Sequence, residues 1–166
     1  MTTFARVAAS VPEARLVVVG QWDPAAIRNA LAQAKQAAGR VLFAGPQTDL
    51  TSFLFEAEVC VHLGRGDAFP LSTLEAMCAG LPTIVSRWTG TREAVAQVDP
   101  SFVLPLNADE ASARILAYLA LPNETKRQLS DAFRSEGLRY TEQAAIGAFR
   151  TAVSTLLEAR RSGLAH

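Results

Sequence analysis

Two carboxylates, Asp67 and Glu75, flank a loop-to-helix junction in the run Gly66-Asp67-Ala68-Phe69-Pro70-Leu71-Ser72-Thr73-Leu74-Glu75-Ala76-Met77-Cys78-Ala79-Gly80-Leu81-Pro82. Pro70 suits the opening of a helix and Gly80 its end. Such a junction aims free backbone N–H groups and the positive end of the helix at one spot, which suits a phosphate. A carboxylate one turn into the helix can accept from sugar hydroxyls beside that phosphate. The run therefore predicts a site for a nucleotide that carries a sugar.

Each candidate residue also has a plainer reading. Glu75 sits among Leu74, Ala76 and Met77, where it either meets a polar partner or points to solvent. Asp67 is otherwise a turn or capping residue. Ser86, Thr89, Gly90 and Glu93 form a second polar cluster, in which Glu93 equally reads as a carboxylate at a helix start. The Arg65 guanidinium can pair with a diphosphate. His62 reads as a packing residue at the end of a strand. Trp22 and Trp88 either stack on a base or pack. Gly64-Arg65-Gly66-Asp67-Ala68-Phe69 begins like a dinucleotide fingerprint, but Phe69 stands where a third glycine is required. Cys60 and Cys78 read as unpaired buried thiols, and with two histidines they give no zinc spacing.

Short β-rich runs alternating with helical patterns must position these residues. Thr2 to Ser10 predicts a helix, and Arg15-Leu16-Val17-Val18-Val19-Gly20 a strand whose unbroken apolar character suits a sheet covered on both faces. Asp23-Pro24 caps and opens a helix that Gly39 stops. A strand over 41–44, a helix over 48–58, strands over 59–63 and 83–86, and a short strand over 102–104 follow. Asn107, Asn123 and Thr141 are expected to cap the last three helices. The pattern predicts a parallel, doubly wound α/β sheet of about five strands in one domain, 1–161, with a tail over 162–166. Ligands in such sheets sit beyond the carboxyl ends of the strands, where most of the candidate residues fall.

Composition narrows the function classes. With 166 residues, 49% of them hydrophobic, one packed core is expected. A formal net charge of zero argues against a nucleic-acid binder. No apolar run approaches the roughly 20 residues of a membrane span, and no secretory signal is visible, so a cytoplasmic protein is expected.

Taken together, the residues resemble the donor-binding half of retaining glycosyltransferases of the GT-B fold, in the group-1 (glycogen-synthase-like) superfamily. The carrying segments are 4–9 with 15–20, 41–45, the two-carboxylate run 67–77 with Gly80-Leu81-Pro82, and Ser86, Gly90 and Glu93. The resemblance implies that Glu75 accepts from ribose hydroxyls and that Asp67 holds the donor sugar, helped by backbone donors near Phe69. It implies that Leu71 and Ser72 hold the diphosphate and that Gly45, Pro46 and Gln47 lie on the base side. It implies a uridine or guanosine diphosphate sugar as donor substrate, with no metal and no further cofactor. The implied partners are an N-terminal acceptor-binding domain or a second copy of the chain.

The chain departs from the family pattern in several places. Asp67 stands where glutamate is usual, Ala68 where glycine is, Leu63-Gly64 for a common Pro-Ser and Thr89-Gly90 for a common Gly-Gly. The family's diphosphate-clamping arginine and lysine and its acceptor domain fall upstream of the matched region. The strand expected there is central in a family sheet ordered 3-2-1-4-5-6. Five strands are therefore expected here, either closed up in the order 2-1-3-4-5 or left with an edge that another chain fills. A chain of this kind on its own is expected to bind donor weakly and not to catalyse transfer. The readings from other classes are a non-catalytic nucleotide-sugar-binding or assembly module and half of a sugar-nucleotide epimerase.

Overall fold

A computed structural model describes residues 1–161, so the tail expected over 162–166 lies outside the described residues. Helix α1 (Thr2–Ser10) leads into strand β1 (Leu16–Val19), which pairs in parallel with β2 (Val41–Gly45) after helix α2 (Pro24–Ala34). Helix α3 (Thr51–Glu56) then leads to β3 (Cys60–His62), α4 (Leu71–Cys78), β4 (Thr83–Ser86), α5 (Arg92–Val98) and β5 (Val103–Leu104). Helices α6 (Ala108–Leu119), α7 (Asn123–Gly137) and α8 (Glu142–Arg161) complete the described chain. The expected α/β class and five parallel strands are present, distributed over two sheets: β1-β2 and β3-β4-β5.

The closed order 2-1-3-4-5 does not form, because no ladder joins β1 to β3. An open edge is left between the two sheets. Val17 on β1 and Val61 on β3, with Leu42 on β2, remain exposed. Helix α1 bridges the two halves: its Val7 belongs to the larger core, while Phe4 and Ala8 belong to a smaller one with Ala37. Arg40 secures the end of that helix by donating to the carbonyls of Ala8, Val11 and Pro12.

The larger core lies between the three-stranded sheet and its helices. All four residues of β4 are buried. Phe102 packs edge-on to Phe133 at 5.2 Å and to Tyr118 at 6.2 Å between ring centroids. Arg114 lies over that ring, 4.1 Å from its centroid. Gly137 brings α7 against α4 so closely that a Cβ there would lie 2.7 Å from the Cys78 nitrogen. No described helix is long and apolar enough to cross a membrane.

Several local expectations shift. Helix α2 ends at Ala34 because Lys35 adopts φ 53°, and a 3-10 turn, not the helix, carries the chain past Gly39 to Arg40. Asp23, Asn107 and Thr141 cap as expected, each accepting from backbone N–H groups of the following turn. Asn123 does not: Pro122, extended at ψ 147°, takes the cap position and Asn123 becomes the first helical residue. Phe102 ends a 3-10 turn, capped by Asp99, that precedes β5. Helix α3 is shorter than the 48–58 expected and buries no residue, so hydrophobic spacing there is not matched by a surface to pack on.

Candidate functional site

The two-carboxylate run folds as its residue types require. Pro70, extended and buried, precedes the first turn of α4, and the Thr73 amide and hydroxyl both donate to the Pro70 carbonyl. No side chain caps this helix start. The amides of Leu71 and Ser72 have no acceptor among the described residues, so two backbone donors stay available at the positive helix end. Gly80, at φ +81°, ends α4 and passes the chain into β4. Asp67 sits half-exposed in the loop before the helix, and Glu75 is exposed one turn into it. The Glu75 carbonyl accepts from the Ala79 amide within the helix, but its carboxylate makes no hydrogen bond or ion pair among the described residues and is available to a ligand.

A buried polar belt holds the loop in place. Ser86 Oγ donates to the Gly64 carbonyl at 2.6 Å and lies 3.1 Å from the Thr89 hydroxyl. The Gly90 amide donates to the Asp67 carbonyl at 2.9 Å. A Cβ on Gly90 would lie 1.5 Å from the Ala68 carbonyl oxygen, so only glycine permits this approach. Thr73 and Thr91 share a hydrogen bond of 2.8 Å, both side chains being buried. Ser86, Thr89 and Gly90, which the sequence showed only as a second polar cluster, thus serve to clamp the loop. Hydroxyl and glycine types at a strand end were visible in the sequence. Their partner, the backbone of a loop some twenty residues earlier, was not.

The other expected site residues fall into separate places. Phe69 and Leu71 are exposed beside the helix start, and the Phe69 ring meets Tyr140 at 6.4 Å. Gly45, at φ +69°, ends β2, and its carbonyl accepts from the Gly20 amide. The Gln47 side chain folds back to donate to the Ala44 carbonyl at 2.7 Å, and Pro46 is exposed. No hydrogen bond or ion pair joins 45–47 to Asp67 or Glu75, because these residues stand on different sheets. Arg65 is exposed and lines a cavity of about 330 Å³ with Leu63 and the start of both α1 (Met1, Thr2) and α6 (Ala108). Glu93 is exposed in the first turn of α5, where Arg92 lies 3.5 Å away. Trp22 packs edge-on against Phe43 at 5.6 Å, and Trp88 is exposed.

His62, read from the sequence as packing, approaches the site: its Nε2 lies 3.4 Å from Asp67 Oδ2. Both cysteines are unpaired and partly buried. Burial pushes the Cys60 thiol up to about 11 against a weaker opposing hydrogen bond with Thr83, and burial also raises the Cys78 thiol. No group of three or more His, Cys, Asp or Glu side chains gathers as a metal site among the described residues.

Residues 1–136 match the family model of the glycosyl transferases group 1. The chain belongs to that family. EpsD of Bacillus subtilis (strain 168), named as a glycosyltransferase, is 27% identical over 132 residues, covering 80% of this chain and 35% of its own length. The N-acetyl-alpha-D-glucosaminyl L-malate synthase of Bacillus anthracis is 26% identical over 131 residues, covering 79% and 34%. The chain thus spans about a third of the length of these relatives. Among solved structures, sucrose-phosphate synthase of Thermosynechococcus elongatus superposes with a TM-score of 0.71 at 26% identity, over 96% of this chain and 42% of that one. WaaG, a glycosyltransferase of lipopolysaccharide biosynthesis, superposes at 0.72 with 18% identity over 91% and 41%, a likeness of fold. The group-1 membership expected from the combined segments and the α/β fold expected from the strand–helix alternation are both borne out.

Proposed function

We propose that the chain forms the donor-binding part of a glycosyltransferase that moves a sugar from a nucleoside diphosphate sugar to an acceptor hydroxyl with retention. The observation that carries this reading is the uncapped start of α4, with the Leu71 and Ser72 amides free between Asp67 and Glu75 on a clamped loop. A diphosphate placed there meets two N–H donors and the helix dipole, which also stabilise it as a leaving group. Glu75 accepts from the ribose, Asp67 from the donor sugar, and the backbone near Phe69 assists. Gly45, Pro46 and Gln47 bound the base side. Arg65 and Glu93 border the same strand ends. The donor is a uridine or guanosine diphosphate sugar.

The chain spans about a third of the length of these relatives, and the reading includes an acceptor-binding domain beside the donor site. A second reading is a nucleotide-sugar-binding module without turnover of its own. Calorimetry against uridine, guanosine and adenosine diphosphate sugars tests the first part. Binding of one of them, weakened at least tenfold by Glu75→Ala with the fold retained, is expected. A folded chain that binds none of them overturns the donor-site reading. Transfer to an acceptor by this chain alone would overturn the requirement for a further domain.

A further inference from the structure

Strand β3 ends at His62, and the chain turns through Gly64 toward Asp67. The imidazole lies over that glycine: a Cβ on Gly64 would stand 3.0 Å from His62 Nε2 and 3.5 Å from Cδ2. Nε2 is buried and makes no hydrogen bond. Asp67 Oδ2 stands 3.4 Å from it, an electrostatic approach too long and too poorly aligned for a hydrogen bond. A buried ring nitrogen left without a partner costs stability, so its position beside a half-exposed carboxylate calls for a use.

The surroundings restrict what can move. The Gly64 carbonyl is held by Ser86 Oγ, and the Asp67 carbonyl by the Gly90 amide. The backbone on either side of the pair is therefore fixed, and the Asp67 side chain, 43% exposed, has the freedom. A small rotation of its carboxylate closes the gap to Nε2. Hydrogen bonds of this kind are often long without ligand and tighten in the complex.

We propose that His62 is a positioning residue for Asp67: its Nε2–H closes on one carboxylate oxygen when a donor sugar is held there, which leaves the other oxygen directed at the sugar hydroxyls. The proposal rests on the reading of Asp67 as the sugar-holding carboxylate. It assigns to His62 an effect on the sugar and none on the nucleotide. Gly64 belongs to the same device, since a side chain there would press on the ring.

Isothermal titration of UDP-glucose and GDP-mannose, each beside its free nucleoside diphosphate, provides the test. His62→Ala is expected to weaken the sugar nucleotide that the wild type binds about five- to tenfold. Affinity for the matching free diphosphate should change less than about twofold. His62→Gln, whose amide nitrogen reaches the place of Nε2, is expected to recover most of the loss. Equal losses for both ligands, or no loss for either, overturn the proposal.

A ligand-free measurement separates this failure from failure of the donor site. The chain has two histidines, so His62→Gln identifies the His62 imidazole signals in a nitrogen-edited NMR spectrum. A His62 imidazole nitrogen shift that changes in Asp67→Ala is expected, because the carboxylate already stands 3.4 Å from Nε2 without ligand. If no sugar nucleotide binds wild type, the donor-site reading falls and this signal alone decides the pairing. A signal indifferent to Asp67 overturns it.

Discussion

Strand β2 (Val-Leu-Phe-Ala-Gly) is more apolar than β4 (Thr-Ile-Val-Ser), and both lie in parallel ladders, yet β2 has no buried residue and β4 has nothing else. The difference comes from their neighbours. β4 has a strand on each side, and Met77, Val95 and Phe133 from α4, α5 and α7 share its core. β2 is the outer strand of a pair, with Leu42 56% exposed, and α3 beyond it buries no residue. Burial follows from how many packed elements surround a strand. The proposed site divides along the same line. Asp67, Glu75 and the free amides stand on the well-packed half, and 45–47 stand on the open one.

The largest effect expected from this contrast is at Phe102. Replacing it by Ala should cost about 3–5 kcal/mol in denaturant unfolding, because three aromatic or cationic neighbours lose their partner at once. A cost below about 1 kcal/mol would mean that the two halves are packed alike. Next is Gly90→Ala, which drives a methyl group into the Ala68 carbonyl and must displace the site loop. A loss of about 2–3 kcal/mol is expected, together with loss of sugar-nucleotide binding by calorimetry. Retained affinity would show that the clamp is dispensable.

Arg40→Ala removes three carbonyl contacts at the end of the helix that joins the halves. It should cost about 1–2 kcal/mol, with faster hydrogen exchange in β1 and β2 and unchanged exchange in β4. Uniform acceleration would mean that the chain opens as one unit. Leu42→Ser, on the open face, should change stability by less than about 0.5 kcal/mol. A larger loss would reveal a covered surface there. The smallest perturbation is chemical. The Cys60 thiol, raised to about 11 by burial, stays protonated at pH 8, so slow alkylation by iodoacetamide is expected until the chain is unfolded. Rapid alkylation of the native chain would place an opening at β3.

Much of this was legible in the residue order. Apolar runs marked the five strands, Asp23, Asn107 and Thr141 marked caps, the run from Asp67 to Pro82 marked the loop-to-helix junction, and that run together with segments 4–20, 41–45 and 86–93 marked the family. The misreadings have local and distant causes. Lys35 adopts a left-handed φ that lysine rarely takes, which no helical spacing announces. Asn123 lost the cap to a proline one residue earlier. The separation of β1 from β3 and the approach of His62 to Asp67 depend on groups brought together by packing.

The sequence by itself determined the order of strands and helices, the family, and the carboxylates and free amides placed around one helix start. These follow from neighbouring residues, through periodicity, capping and the backbone limits of proline and glycine. Tertiary structure alone decided that the sheet stays divided, that Ser86 and Gly90 hold the site loop from behind, and that an imidazole lies over Gly64 against Asp67. Those outcomes depend on distances between segments far apart in the chain, which no local pattern encodes.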